Sequence, residues 1–128
     1  MSVLELNGRV FDASTTGTLT LTGEGSATTD VTQGLAKAWC HVDQDGSQSI
    51  VSSFNTASVT DVGLGSTTVT VTNAMSDANY AGTGSISTSR YNFSYSLVSS
   101  TDFKLNARND AATFVDTNIT GFAFGDLA

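Results

Sequence analysis

Strict alternation of apolar and polar residues is the feature that most constrains how this chain folds. It is clearest in residues 90–97, where Tyr91, Phe93 and Tyr95 are separated by single polar residues. Because successive side chains of a β-strand point to opposite faces of a sheet, this pattern predicts a strand with one apolar face. No stretch of useful length has the spacing of an amphipathic helix. We therefore expect an all-β fold.

The alternation recurs along the chain between turns that contain glycine, asparagine or aspartate, and proline is absent. Residues 35–43 place Ala38 and Cys40 on one face and Trp39 and His41 on the other. About eight short strands at roughly ten-residue spacing, with connections too short for helical crossovers, predict an antiparallel β-sandwich or small barrel. The other predicted strands cover residues 16–22, 49–61, 67–72, 80–87, 90–97, 103–108 and 113–125.

A stretch rich in glycine, serine and threonine near residues 23–34 predicts a boundary in the chain. We expect residues 1–32 to form an N-terminal strand arm with a linker, and residues 33–128 to form the β-sandwich module. Because one or two strands are not stable alone, the arm is expected to lie on the module or on a neighbouring chain.

The charge composition argues against nucleic-acid and membrane partners. The net charge is −7, and the five basic residues are scattered rather than gathered into a stripe that could neutralise phosphates. No apolar run approaches the roughly 18 residues of a membrane span, and the first residues lack the pattern of a signal peptide. We therefore expect no nucleic-acid partner, no membrane insertion, and folding in a cytoplasm.

The sequence offers no recognisable catalytic or metal-binding pattern. His41 is the only histidine, and Cys40 beside it would point to the opposite face of a strand, so the pair cannot act as base and nucleophile. Asp43 and Asp45 precede Gly46 in a predicted turn, where aspartate usually caps the backbone. We expect no enzyme, no cofactor and no metal. Two alternatives stay open: calcium at this turn, which matches part of a calcium loop, and an ion shared by three copies of His41 in a trimer.

The aromatic residues supply more apolar area than a small sandwich needs for its core. Core packing is the first interpretation of Tyr91, Phe93, Tyr95 and Trp39. The second is that part of this set is buried by another subunit, because soluble proteins seldom expose large apolar patches. A sugar-stacking platform is the third.

Three segments resemble tail-fibre-like proteins of marine and cyanobacterial bacteriophages. Residues 34–43 carry Lys-Ala-Trp followed by an alternating stretch, which resembles a recurring opening in that family. Residues 53–61, Ser-Phe-Asn-Thr-Ala-Ser-Val-Thr-Asp, and residues 74–80, Ala-Met-Ser-Asp-Ala-Asn-Tyr, resemble its next motifs in the same order. The resemblance covers about residues 33–128 and is strongest in 34–80. The chain departs from the family at Cys40 and His41, and in its Asp-Gly-Ser turn.

The resemblance implies a virion protein of tail-fibre type, assembled as a homotrimer, that contacts other virion proteins and a host surface glycan or protein. Only about 32 residues precede the module, where family members often follow a longer shaft. A capsid decoration protein, whose arm would add a strand to a neighbour, is therefore an alternative. A non-viral carbohydrate-binding or adhesin module is another. Loops on a rigid sheet commonly carry recognition, and the predicted contact residues are Asp43, Asp45, Asn73, Asn79 and Asn109.

Overall fold

The computed structural model describes residues 3–6, 9–12, 20–22, 28–88 and 90–128. The chain divides into two compact units, Met1–Leu35 and Ala36–Ala128. In the described part of the first unit, four strands form an antiparallel sheet in chain order, and a short helix follows them. These elements are β1 (Val3–Leu6), β2 (Arg9–Asp12), β3 (Thr20–Thr22), β4 (Thr28–Asp30) and α1 (Val31–Gly34).

The first unit contains more regular structure than the sequence predicted. We expected an arm of one or two strands followed by a flexible linker, whereas β4 and α1 lie within the predicted linker. The predicted strand at residues 16–22 overlaps β3, and its first four residues lie outside the described residues. Low apolar content hid these elements, because period-2 alternation is visible only where a strand has one apolar face.

The second unit is a β-sandwich, as the alternation predicted. Two antiparallel sheets of four strands, in the orders β6-β5-β12-β9 and β10-β11-β8-β7, contribute to one core. The strands of this unit are β5 (Ala36–Asp43), β6 (Ser49–Phe54), β7 (Thr56–Gly63), β8 (Ser66–Val71), β9 (Ala81–Ile86), β10 (Asn92–Leu97), β11 (Asp102–Arg108) and β12 (Asn118–Phe124).

The core is built from alternate residues of the central strands. Along β5, β8, β11 and β12 every second side chain is buried, which is the pattern expected when each sheet has one face on the core. The buried apolar residues of these strands are Ala38, Cys40, Val42, Val69, Val71, Phe103, Leu105, Ala107, Ile119 and Ala123.

Two glycines of β9 make room for the aromatic residues of β10. A Cβ atom at Gly82 would collide with the ring of Tyr95, and one at Gly84 would collide with the ring of Phe93. Tyr95 also stacks on Phe103, with ring centroids 5.1 Å apart and planes 19° from parallel. The close approach of β9 and β10, which belong to different sheets, therefore depends on the missing side chains of these glycines.

The predicted strand at residues 49–61 is wrong in one respect, because the structure divides it into two strands of different sheets. Asn55 separates β6 from β7 and has a φ of 52°, in the left-handed region. Asparagine tolerates this conformation better than most residues, since its short polar side chain can hydrogen-bond locally. The chain passes from one sheet to the other at this residue.

The prediction of a strand at residues 113–125 is also too long, because β12 begins only at Asn118. The preceding loop bonds to other segments: Gly65 N donates to Asp116 Oδ1 (2.6 Å), and Thr117 N donates to Gln44 Oε1 (3.4 Å). Residues 114 and 115 pair with the end of β11, where Val115 N donates to Ala107 O (3.2 Å), so this segment bonds to several neighbours and does not extend β12.

A buried polar network ties these loops together. Gln44 is only 1% exposed and donates through Nε2 to Thr67 Oγ1 (2.9 Å), which in turn donates to Gln48 Oε1 (2.6 Å). The backbone N–H of Gln44 reaches the carbonyl oxygen of Thr117 at 3.4 Å. The connections 44–48, 64–65, 87–91 and 109–117 all lie at this end of the sandwich, which we call the loop end.

Candidate functional site

An aromatic row crosses the outer face of one sheet. Trp39 on β5 is paired directly with Phe54 on β6 and with Phe122 on β12. Because directly paired residues of antiparallel strands point to the same face, these three rings stand side by side on the face away from the core. Thr83 of β9 continues the row. Trp39 and Phe122 are half-buried, and Phe54 is exposed.

The outer face of the other sheet has a different character. Its corresponding row runs through Ser96, Lys104, Thr68 and Thr60, one residue from each of the four strands. A hydroxyl-rich surface of this kind is well solvated and needs no partner. The aromatic row therefore marks one specific face of the sandwich as a candidate interaction surface.

One side of the sandwich is both apolar and open to strand pairing. Strands β6 and β7 are the edges of their two sheets, and no described strand pairs with either outer edge. Gln48 Nε2 donates to Asp61 Oδ1 at 3.0 Å, which holds the start of β6 beside the end of β7. We call this surface, comprising β6, β7 and residues 64–65, the β6–β7 side.

The β6–β7 side exposes large apolar side chains. Val51 and Phe54 on β6 are 56% and 55% exposed, and Leu64 after β7 is 59% exposed. Strand β6 contains neither a charged residue nor a proline, which are two of the devices that stop an edge strand from pairing with another chain, and its protection is limited to a β-bulge at Val51. Phe54 belongs to both the aromatic row and this side, so the two surfaces are continuous.

A third surface is a cleft of about 520 Å³ at the loop end. Hydrogen bonds hold described residues on both sides of it. Asn109 Oδ1 accepts from the backbone N–H groups of Ala111 and Thr113, both at 3.0 Å. On the other wall, the hydroxyls of Thr88 and Thr117 are hydrogen-bonded at 2.8 Å. The residues that line the cleft are Thr88, Arg90, Tyr91, Asn109, Asp110 and Ala111.

The base of the 109–113 loop is closed by a cation–π contact. The guanidinium carbon of Arg108 lies 4.1 Å from the centre of the Phe114 ring, and the two residues also form an isolated β-bridge. Such contacts contribute about 0.5–1 kcal/mol at exposed sites. The loop that carries Asp110 is thus anchored at both ends.

The four aromatic residues predicted for an interface lie in three environments. Trp39 is on the outer face of its sheet, opposite Cys40, so the first interpretation, packing in the core, is wrong for this residue. Phe93 and Tyr95 pack against the core, so contacts within the chain already cover most of their surface. Tyr91 is half-buried and lines the cleft. Burial of any of the four by another subunit stays a prediction.

The predicted loop contacts fall at opposite ends of the sandwich. Asp45 is exposed at the loop end, and its backbone N–H donates to Asp43 Oδ1 (3.0 Å), which is the capping role expected of a turn aspartate. Asn109 lies at the same end, whereas Asn73 and Asn79 lie at the opposite end. The five residues therefore cannot contact one ligand together.

Sequence reasoning missed Phe54, Phe122 and Arg90 as surface residues of interest. Phe122 alternates with Ala123 on β12, so its outward direction is visible in the sequence. The residues that lie beside Phe122 on neighbouring strands are not visible in the sequence, because the register between distant strands depends on the whole fold. Arg90 belongs to no motif in the sequence. Its position in the cleft becomes visible only when the loops at this end of the sandwich are folded together.

The cysteine and histidine lie on opposite sides of β5, as the alternation predicted. Cys40 is fully buried, and burial raises the pKa of its thiol to about 11, although a hydrogen bond with Thr56 acts in the opposite direction. His41 is half-buried on the outer face. Among the described residues, no group of three or more His, Cys, Asp or Glu side chains could hold a metal ion. None of the described helices is long and apolar enough to cross a bilayer.

Comparison of the chain with protein-family models, with curated proteins and with solved structures gave no match.

Proposed function

We propose that this chain is a structural protein of a bacteriophage particle, a tail-fibre-like module that assembles as a homotrimer and takes part in host attachment or particle assembly. The observation that carries the proposal is the apolar β6–β7 side. It supports assembly with other protein surfaces. The resemblance in residues 34–80 supports the virion setting and the trimer.

The exposed side chains on this side are large enough to drive association. Burying a valine, leucine or phenylalanine side chain fully stabilises by about 1.5–3 kcal/mol. About half of the surface is exposed in each of four side chains, those of Val51, Phe54, Val62 and Leu64. Burial of this exposed surface in a subunit contact contributes several kcal/mol to association. An added strand would also satisfy the free backbone groups of an edge. These gains act against the loss of translational and rotational freedom on association.

The chemistry of the surface favours a second copy of the chain as the partner. Strand β6 has no charge, so a neighbouring copy can lie along it without burying an ion there, although the whole chain carries −7. The carboxylate of this side, Asp61, lies at the end of β7, where it accepts a hydrogen bond from Gln48. The aromatic row adds large rings at the margin of the same surface, and aromatic residues are frequent anchors at subunit contacts.

A pair of matched variants tests this assignment. Val51→Glu places a charge on the β6–β7 side, and Val98→Glu places one on the opposite side, at a residue that is equally exposed (56% and 52%). We expect sedimentation velocity to show that Val51→Glu dissociates the oligomer while Val98→Glu leaves it intact. Equal behaviour of the two variants would reject the β6–β7 side as the contact.

A capsid decoration protein is the second candidate, and the first compact unit favours it. Strands β1–β4 form a sheet separate from the sheets of the sandwich. The edge of such a sheet can bind a neighbouring virion protein by strand addition. Immuno-gold labelling of particles separates the candidates. Label on the tail supports the first, and label over the head surface supports the second.

A further inference from the structure

We propose that the cleft at the loop end is a binding site for a neutral saccharide, with the ring of Tyr91 as its stacking surface. The proposal deepens the attachment role proposed above and rests on it. It differs from the sugar-stacking platform considered from sequence, because Phe93 and Tyr95 of β10 pack against the core, whereas Tyr91, just before β10, lines the cleft.

The cleft has the volume of a ligand site and is open to solvent, because its lining residues Thr88, Arg90, Asp110 and Ala111 are exposed. Its volume of about 520 Å³ falls within the range of about 300–1,000 Å³ that is usual for small-molecule pockets. Hydrogen bonds hold described residues on both sides of it, Asn109 with Ala111 and Thr113 on one side and Thr88 with Thr117 on the other. These residues are therefore already placed before a ligand binds, which lowers the cost of binding.

The lining offers the polar groups that a sugar needs. The Asp110 carboxylate accepts hydrogen bonds from hydroxyl groups, the Arg90 guanidinium donates them, and the Thr88 hydroxyl does both. The Asn109 oxygen is used within the loop, and its amide N–H groups have no hydrogen-bond partner among the described residues. An aromatic ring beside planar polar groups suits the apolar ring face and the hydroxyl edge of a pyranose.

The charges of the cleft favour a neutral ligand over an anionic one. Arg90 and Asp110 bring one charge of each sign, and the chain as a whole carries −7. The neighbouring cation, Arg108, is engaged with the ring of Phe114. An acidic sugar would meet Asp110 in the cleft and the negative field of the chain around it.

Backbone conformation also singles out the cleft. Among the described residues, three that are not glycine have a positive φ, and two of them, Arg90 (70°) and Ala112 (59°), flank the cleft. The third, Asn55, is held by its own side-chain hydrogen bonds. Unusual backbone angles cost free energy and are concentrated at functional sites, so their position at this cleft supports a ligand role.

The test is binding of the full-length chain to an array that displays neutral oligosaccharides beside sialylated ones. We expect retention on a subset of the neutral glycans. Loss of the stacking surface in Tyr91→Ala should weaken binding by about tenfold or more, equivalent to about 1.4 kcal/mol. Tyr91→Phe keeps the ring and should stay within about threefold of the wild type. Asn79→Ala, at the opposite end of the sandwich, should change nothing.

A second variant protects the test against misfolding. If Tyr91→Ala lowers the melting temperature, Arg90→Gln serves instead, because Arg90 is exposed and its loss should weaken binding without unfolding the chain. Failure of the wild type to bind any neutral glycan, preference for sialylated glycans, or unchanged binding by these variants would overturn the site. The oligomer mass is measured separately, so loss of glycan binding with an intact trimer rejects the site alone.

Discussion

The side chains of Asn55 and Asn73 join the corner between β6 and β7 to the loop that follows β8. Asn55 Oδ1 accepts hydrogen bonds from the backbone N–H and the side-chain amide of Asn73, at 2.8 and 3.0 Å. Asn55 Nδ2 donates to the carbonyl oxygen of Lys37 at 2.9 Å. One left-handed residue thus connects both sheets and a loop, at the point where the chain changes sheets.

Substitution of Asn55 should separate the contribution of these hydrogen bonds from that of the backbone conformation. Asn55→Gly removes the side-chain hydrogen bonds, whereas glycine adopts the left-handed conformation without strain. We expect this variant to lose about 2 kcal/mol in the free energy of unfolding. Asn55→Ala adds backbone strain and should cost about 0.5–1 kcal/mol more. Urea unfolding of both variants measures the difference. If Asn55→Ala is as stable as the wild type, the corner does not depend on this side chain.

The two buried tyrosines should respond in opposite ways to loss of their hydroxyl groups. The Tyr95 hydroxyl is buried beside the Tyr80 hydroxyl, and burial together with this contact raises the pKa of Tyr95, but the geometry of the contact is too poor for a full hydrogen bond. Tyr80 instead donates to the carbonyl oxygen of Asp102 at 2.9 Å. Tyr95→Phe should therefore be neutral or more stable than the wild type, while Tyr80→Phe should lose about 1 kcal/mol. Thermal unfolding of the pair provides the test. Equal destabilisation of the two variants would show that Tyr95 has a partner after all.

Cys40 should be chemically inert until the chain unfolds. Its thiol is fully buried, and burial raises its pKa to about 11, so almost no thiolate forms near neutral pH. We expect labelling by a thiol reagent at about pH 8 to be at least about a hundredfold slower in the native chain than in urea. The double variant Cys40→Ala/His41→Cys moves the thiol to the outer face and should react readily. Rapid labelling of native Cys40 would contradict its place in the core.

Asp102 should make the chain less stable in acid. Hydrogen bonds from the hydroxyls of Thr101, Thr70 and Ser99 hold the pKa of this carboxyl below its usual value of 3.8. A carboxyl with a lowered pKa in the folded state stabilises the chain above its usual pKa. This contribution is lost as the pH falls through the folded value.

The pH dependence of the melting temperature measures this contribution. The wild type should lose more stability than Asp102→Asn when the pH falls from about 6 to about 2. Asp45→Asn, in an exposed turn, controls for the removal of one negative charge and should follow the wild type. Parallel profiles for the wild type and Asp102→Asn would show that the three hydroxyl bonds do not favour the charged form.

Local alternation predicted most strands of the sandwich and which of their side chains share a face. It placed Cys40 and Trp39 on opposite faces of β5, and it predicted an all-β fold, a sandwich or small barrel of about eight strands. It could not predict the break at Asn55, because residues on both sides continue to favour strand structure. Asparagine at a sheet-changing corner is recognisable only when its bonds to Lys37 and Asn73 are known.

The candidate surfaces depend on contacts between residues that are distant in the sequence. Phe54, Trp39 and Phe122 form a row because of the register of three strands, and register is not encoded near any one of them. The cleft combines Tyr91 with Asp110 because two loops meet at one end of the sandwich. Sequence reasoning named Tyr91 and Asn109 separately and had no means of placing them together.

The mass of the wild-type chain in solution tests the central claim most directly. If the β6–β7 side is a subunit contact in a trimer, multi-angle light scattering should give about three times the chain mass of 13.2 kDa over a range of concentrations. A mass of 13.2 kDa at every concentration would mean that Val51, Phe54, Val62 and Leu64 remain in water, and would contradict the proposed assembly.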